Sequence, residues 1–353
     1  MIRLFAAALF AIVIVSPSAI SFTHPSASIF LPHTNTNHRR SSSRQHGDGR
    51  PAASIDADRF RDITPIKSHH QGTEPSPPPL PMSSQDTSWG RPPYLALLTE
   101  PDACTSLQRV EETIRAIEQA TMDGGVTLVV VRVVDDSSNE TSLNKWTLLK
   151  NLADMKQRQR GGFLLIVNDD VDIVVRALTQ NIAVDGVHVK EHNAHLIPSI
   201  RQKLEHATKT SSSSNPLNEN EQNHSGNIII GTSCHSLQSA TTSYQLSPRG
   251  PDYLFVGTCY LTQSHPEKTS LDQLEGPSLP GIIKRATKTM PQSPPLSPQP
   301  IILAIGGIDE QNCHEPVSLG ADGVATIRTV MQASDPTQTV HRMKKAMQHN
   351  DAE

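Results

Sequence analysis

From Pro92 onward, short apolar runs alternate with longer segments in which apolar residues recur at helical spacing. The runs are Tyr94–Leu98, Val126–Val131, Phe163–Val167, Asp185–Val189, Ile228–Gly231, Tyr253–Gly257, Ile301–Ile305 and Gly323–Ile327. Most are apolar throughout rather than alternating, the pattern of a strand covered on both faces of a parallel sheet. The amphipathic segments are Ser106–Ala120, Ser142–Gln157, Val171–Gln180, His195–His206, Leu237–Gln245, Pro280–Thr287 and Gln311–Leu319, with Gln338–Gln348 closing the series. This repetition predicts an α/β fold, a (β/α)8 TIM barrel, which takes about 250 residues. A doubly wound sheet, with fewer strands, is the alternative.

Two polar stretches interrupt the pattern: Ser/Asn-rich Thr208–Ser225 and Pro/Ser-rich Thr289–Gln299. Each precedes a strand. In a barrel such loops lie at the N-terminal face, away from the reacting end, and they read as surface insertions.

The first 91 residues lack this pattern. Leu4–Val15 is an uninterrupted apolar run behind Arg3. It is too short to span a bilayer and fits a signal-peptide core, with cleavage at Ala19-Ile20-Ser21, so residues 1–21 read as signal peptide. Phe22 then begins a basic, hydroxylated stretch in which Asp48 is the one acid before residue 55. Residues 55–90 are rich in proline and serine. Residues 22–91 therefore read as a transit peptide and linker, a disordered presequence ahead of a barrel over 92–353. A signal peptide, then Phe, then a transit-like stretch resembles the bipartite presequence of algae with secondary plastids. That arrangement implies the chloroplast stroma; secretion is the alternative.

The four cysteines (Cys104, Cys234, Cys259, Cys313) show neither disulfide-framework nor zinc-site spacing. A net charge of −4 gives no electrostatic case for nucleic acid. Nothing in the expected mature portion suggests a membrane partner, and a homo-oligomer is left open. Asn139-Glu-Thr141 and Asn223-His-Ser225 match the glycosylation triplet, which often occurs by chance.

In a barrel the chemistry comes from strand C-terminal ends. Those ends bring Arg132; Asn168 and Asp169; His188 to Asn193; Ser233, Cys234 and His235; Thr258 to Lys268; and Gly306, Gly307, Thr326, Ile327 and Arg328. Cations, hydroxyls and amides on one rim suit a polyanion. Asp169 adds a hard oxygen ligand suited to Mg²⁺ bridged to phosphate. Gly306-Gly307 ends an apolar run, where bare backbone N–H groups let an anion approach. A phosphorylated small molecule is therefore the expected partner. Asn168-Asp169 could equally cap the third helix. His188 reads as a satisfied core histidine, His192 and His195 as solvated surface, and His235 as a helix cap or catalytic group.

Val167-Asn-Asp-Asp-Val-Asp172, Asp185-Gly-Val-His-Val189, Gly231-Thr-Ser-Cys-His-Ser236, Asp252-Tyr-Leu-Phe-Val-Gly257, Thr262, Ala304-Ile-Gly-Gly-Ile308 and Gly320-Ala-Asp-Gly-Val-Ala325 occur in this order at barrel spacing. Together they resemble the thiamine phosphate synthase/TenI family over residues 94–345. The resemblance implies a transferase that joins hydroxymethylpyrimidine diphosphate to thiazole phosphate and releases pyrophosphate. Its alternatives are a TenI-like thiazole tautomerase using His235, and a non-catalytic phosphate-binding barrel. Carried over residue by residue, it implies Arg132 at the diphosphate and Ser233, the serine after the fifth strand, as a catalytic residue. It also implies Asn168, Thr262, His265, Lys268, Gly306, Gly307, Ile327 and Arg328 around the substrates, and Asp169 and Asn193 at Mg²⁺. The chain departs from the pattern at four positions. Val130 and Val134 stand for a glutamine and a lysine, Asn193 for the second metal-binding aspartate, and His265 for the diphosphate lysine.

Overall fold

The computed structural model describes residues 89–123, 125–132, 139–160, 162–212, 227–290 and 298–348. The expected signal and transit segments, Val134, Asn223 and most of both polar insertions lie outside these residues.

Eight parallel strands close into one barrel in chain order. They are β1 (Tyr94–Leu98), β2 (Leu128–Val131), β3 (Leu164–Asn168), β4 (Gly186–Val189), β5 (Ile229–Cys234), β6 (Tyr253–Val256), β7 (Ile301–Ile305) and β8 (Gly323–Thr326). The seam between β8 and β1 pairs Ala96 with Ala325. Helices α1 (Leu107–Thr121), α2 (Asn139–Arg158), α3 (Val171–Thr179), α4 (Ile197–Ser212), α5 (Leu237–Tyr244), α6 (Leu279–Thr289) and α7 (His314–Ser318) connect successive strands. A short α8 (Arg328–Met331) and then α9 (Pro336–Gln348) follow β8. α4 runs to Ser212, so the first polar insertion begins as helix.

Strand alternation splits the apolar residues into two cores. Leu95, Leu97, Val129, Val131, Leu165 and Val167 face outward against the helices. Ala96, Leu98, Leu128, Val130, Leu164, Ile166, Tyr253, Phe255, Leu303 and Ala325 fill the lumen. Both faces are apolar, so the strands read as unbroken runs. Trp89, in the stretch the sequence reading assigns to linker, is buried. It packs edge-on to Tyr94 and Tyr253, with centroids 5.9 and 5.6 Å away, and closes the N-terminal mouth.

One device recurs at that end. Asp185, Asp252 and Asp322 directly precede β4, β6 and β8, and their carboxylates accept from the N–H of Leu165, Ile230 and Ile302, each the second residue of the strand before. Each also pairs with a base from an even-numbered helix: Lys156 of α2, Arg201 of α4 and Lys284 of α6. The carboxylates thus tie strand to strand and sheet to helix at the end opposite the rim chemistry.

Candidate active site

Period-two alternation determines which rim groups point inward. On β2 the inward series Leu128, Val130 continues to Arg132, and on β3 the series Leu164, Ile166 continues to Asn168. Ser233 of β5 stands two residues beyond Gly231. Arg132, Asn168, Ser233, His235, Thr262 and His265 all line one cavity at the C-terminal mouth, of about 580 Å³. Gly306, Gly307, Ile327 and Arg328 line it from β7 and β8. Val130, in place of an amide, is fully buried in the lumen and offers no polar group.

The glycine pair is held open by its neighbours. Gly306 and Gly307 have φ of 98° and 67°, a region that glycine enters without a Cβ penalty. A Cβ on Gly307 would lie 2.6 Å from the Leu261 carbonyl oxygen and 2.8 Å from Tyr260. The glycine is therefore required by the β6 loop packed on it. Asn312 Nδ2 donates to the Gly307 carbonyl at 2.9 Å. Thr329 and Thr326 hydroxyls donate to the Ile308 carbonyl at 2.7 and 3.2 Å. These bonds turn the carbonyls away. Among the described residues no bond outside the ladders uses the N–H of Gly307 or Ile327. Arg328 reaches across to Ser264 Oγ at 3.2 Å.

Arg132 has no carboxylate partner among the described residues. Burial disfavours its charge, and the charge of Arg328 adds to that, so its pKa lies below the ordinary guanidinium value. Two guanidiniums close enough to repel, at a cavity that buries one of them, create a demand for an anion.

Three residues expected at the ligand are not on the cavity wall. Lys268 donates to both oxygens of Glu275, at 2.8 and 2.7 Å, and Glu275 also accepts from the Thr258 N–H at 2.5 Å. Asn193 sits in a 3₁₀ turn, Glu191–Leu196, with its N–H on the Lys190 carbonyl. Asp169 stands at φ 52°, its carboxylate 2.8 Å from Lys190 Nζ. Asp169 does not cap α3: the N-cap is Asp170, which accepts from the Ile173 N–H. His265 Nδ1 lies 2.9 Å from Glu267.

His235 is not a cap either, since Ser236 caps α5. Its imidazole stands between two carboxylates, 3.9 Å from Glu191 and 3.7 Å from Glu275. Glu275, forty residues beyond it, carries no sequence signal of this contact. His188 is buried as expected, and burial brings its pKa down to about 3, so the ring stays neutral. Burial pushes the Cys234 and Cys259 thiols up to about 12, which removes both as nucleophiles.

Residues 95–330 match the family model described as thiamine monophosphate synthase. The thiamine-phosphate synthase of Geobacillus thermodenitrificans is 27% identical over 65% of this chain and 83% of its own length. That of Listeria monocytogenes is 27% identical over 67% and 90%. Among solved structures, the thiamine phosphate pyrophosphorylase of Pyrococcus furiosus aligns with 73% of this chain and 96% of its own, at 21% identity and a TM-score of 0.48.

Proposed function

The chain belongs to the thiamine monophosphate synthase family, and from that premise we propose that it is a transferase of thiamine biosynthesis. It joins hydroxymethylpyrimidine diphosphate to thiazole phosphate and releases pyrophosphate. One observation carries this reading: two anion-binding groups face a single cavity. Gly307 and Ile327 present N–H groups on one side, and on another Arg132 presents a guanidinium with no carboxylate partner among the described residues. Two phosphorylated substrates require two such places.

The bond between the pyrimidine methylene and the diphosphate oxygen breaks, and the electron pair leaves with diphosphate. The thiazole nitrogen lone pair then forms the new C–N bond. Arg132 stabilises the departing charge, and the cradle of Gly307 and Ile327 holds thiazole phosphate in line. Such a step needs positioning and preorganised charge, not a strong base.

Asp169 offers one hard carboxylate, which fits Mg²⁺ only in its sparse mode, in which one or two carboxylates share the ion with substrate phosphates and water. Among the described residues no group of three or more His, Cys, Asp or Glu could hold a metal. Asp169 would hold the ion with diphosphate oxygens, in competition with Lys190. When bound, Mg²⁺ would supply charge neutralisation to the leaving diphosphate.

The test is turnover by the purified full-length protein, given both substrates and Mg²⁺. Thiamine phosphate and pyrophosphate should appear in equal amounts, and Arg132→Ala should abolish both. Isomerisation of thiazole carboxylate, lost in His235→Ala, with no condensation would favour the tautomerase reading instead. The bipartite composition of residues 1–54 supports import into a plastid. Residues 1–55 fused to a fluorescent protein should mark the plastid of a suitable alga; a secreted fusion would reject the idea.

A further inference from the structure

Tyr253 opens β6 and is fully buried. Its ring lies over Gly231 of β5, where a Cβ would come within 2.0–2.4 Å of the ring carbons. Any side chain at 231 would expel the ring. β5 thus forgoes a side chain one inward step below Ser233. The space places the Tyr253 hydroxyl 3.1 Å from His188 Nδ1. The other ring nitrogen, Nε2, lies 2.9 Å from Ser233 Oγ. The three groups form a line from the lumen core to the cavity wall.

Counting donors fixes the direction of this line. His188 is the only hydrogen-bond partner of the Tyr253 hydroxyl among the described residues. A neutral imidazole carries one N–H. With the proton on Nδ1, the tyrosine hydrogen would be left in an apolar lumen without an acceptor. With the proton on Nε2, Tyr253 donates to Nδ1 and Nε2 donates to Ser233 Oγ, so every buried donor is used. Burial keeps the ring neutral, its pKa falling to about 3. Ser233 accepts from below, and its own hydrogen is directed into the cavity.

We propose that Tyr253 is a positioning residue: by fixing the Nε2–H tautomer of His188, it keeps the Ser233 hydrogen off the ring and free to donate to a diphosphate oxygen of the substrate. The tautomer follows from the hydrogen bonds alone; the identity of the acceptor rests on the transferase reading. Diphosphate oxygens accept and carry charge, so a serine hydrogen free to donate makes a stronger bond to them than to a neutral acceptor.

The experiment uses the full-length protein with ¹⁵N-labelled histidine. Long-range ¹H–¹⁵N spectra report the tautomer, and the His188 signal is the one missing from His188→Gln. The wild type should show Nε2–H. Tyr253→Phe should show a mixture of tautomers, and so should Gly231→Ala, which displaces the ring. Calorimetry with inorganic pyrophosphate should show about tenfold weaker binding in Tyr253→Phe, as for a lost bond to a charged acceptor. Ser233→Ala should match that loss, and the double variant should lose no more than either single one. An Nδ1–H wild type would overturn the proposal whatever the turnover, and so would unchanged pyrophosphate affinity in Ser233→Ala or additive losses. If Tyr253→Phe does not fold, the wild-type tautomer and the Ser233→Ala affinity decide. A confirmed tautomer and coupling without thiamine phosphate formation would reject the transferase reading and leave the relay standing.

Discussion

Gly307 carries two burdens at once, a left-handed backbone and a neighbouring loop with no room for a methyl group. Gly307→Ala would place a Cβ 2.6 Å from the Leu261 carbonyl and push away the loop that bears Thr262 and Ser264. Affinity for thiazole phosphate, measured by calorimetry, should fall at least tenfold, about 1.4 kcal/mol. Lys190 offers a different test. Its ammonium pairs with Asp169 at 2.8 Å, so it neutralises the carboxylate that Mg²⁺ would use. Lys190→Gln should lower the Mg²⁺ needed for half-maximal turnover severalfold while raising KM for the diphosphate substrate. Movement of both quantities in the same direction would contradict the competition. The positions of Arg132, Asn168 and Ser233 were legible in the sequence, because strand parity carries each inward series to the rim. Glu275 and Asp169–Lys190 were not, because no periodicity reports which loop side chains meet across a mouth.

At the level of elements, β1 and β7 match the expected apolar runs end to end, because buried parallel strands announce themselves by composition. The short α8 after β8 was not anticipated, since four residues hold no helical period. The carboxylate ties at the N-terminal end recur three times, yet burial makes them unequal in energy. Arg201 and Asp252 side chains are 6% and 7% exposed, and Arg201 also donates to the carbonyls of Ile228 and Gly250. Arg201→Met leaves the buried Asp252 carboxylate with Arg249 as its one remaining cation among the described residues, and unfolding by denaturant should show a loss of about 3 kcal/mol. The Lys284 side chain is 43% exposed, so Lys284→Met should cost less than about 1 kcal/mol. Equal losses would mean that the ties act through geometry rather than desolvated charge.

For the whole molecule, the buried His188 couples the barrel's stability to pH. The ring is neutral in the folded state, with its pKa lowered from 6.5 to about 3, chiefly by burial. The unfolded chain binds a proton below 6.5 that the folded barrel refuses, so its folded pKa is the depressed one. The sign follows: this contribution is complete above the unfolded value and is lost as pH falls toward the folded one. At about 1.4 kcal/mol per pH unit, moving from pH 7.5 to pH 5 should remove about 2 kcal/mol through this residue alone. Other titrating groups shift stability over the same range, so the comparison must be with a variant that lacks only this proton. Glutamine serves, because its amide both accepts and donates and can bridge Tyr253 and Ser233. The stability of the wild type relative to His188→Gln, read from denaturant unfolding, should fall by about 2 kcal/mol as pH falls from 7.5 to 5. Parallel curves would show that the barrel opens enough near pH 5 to protonate the ring without unfolding. The tyrosine–histidine–serine line would then belong to a mobile lumen rather than a rigid one.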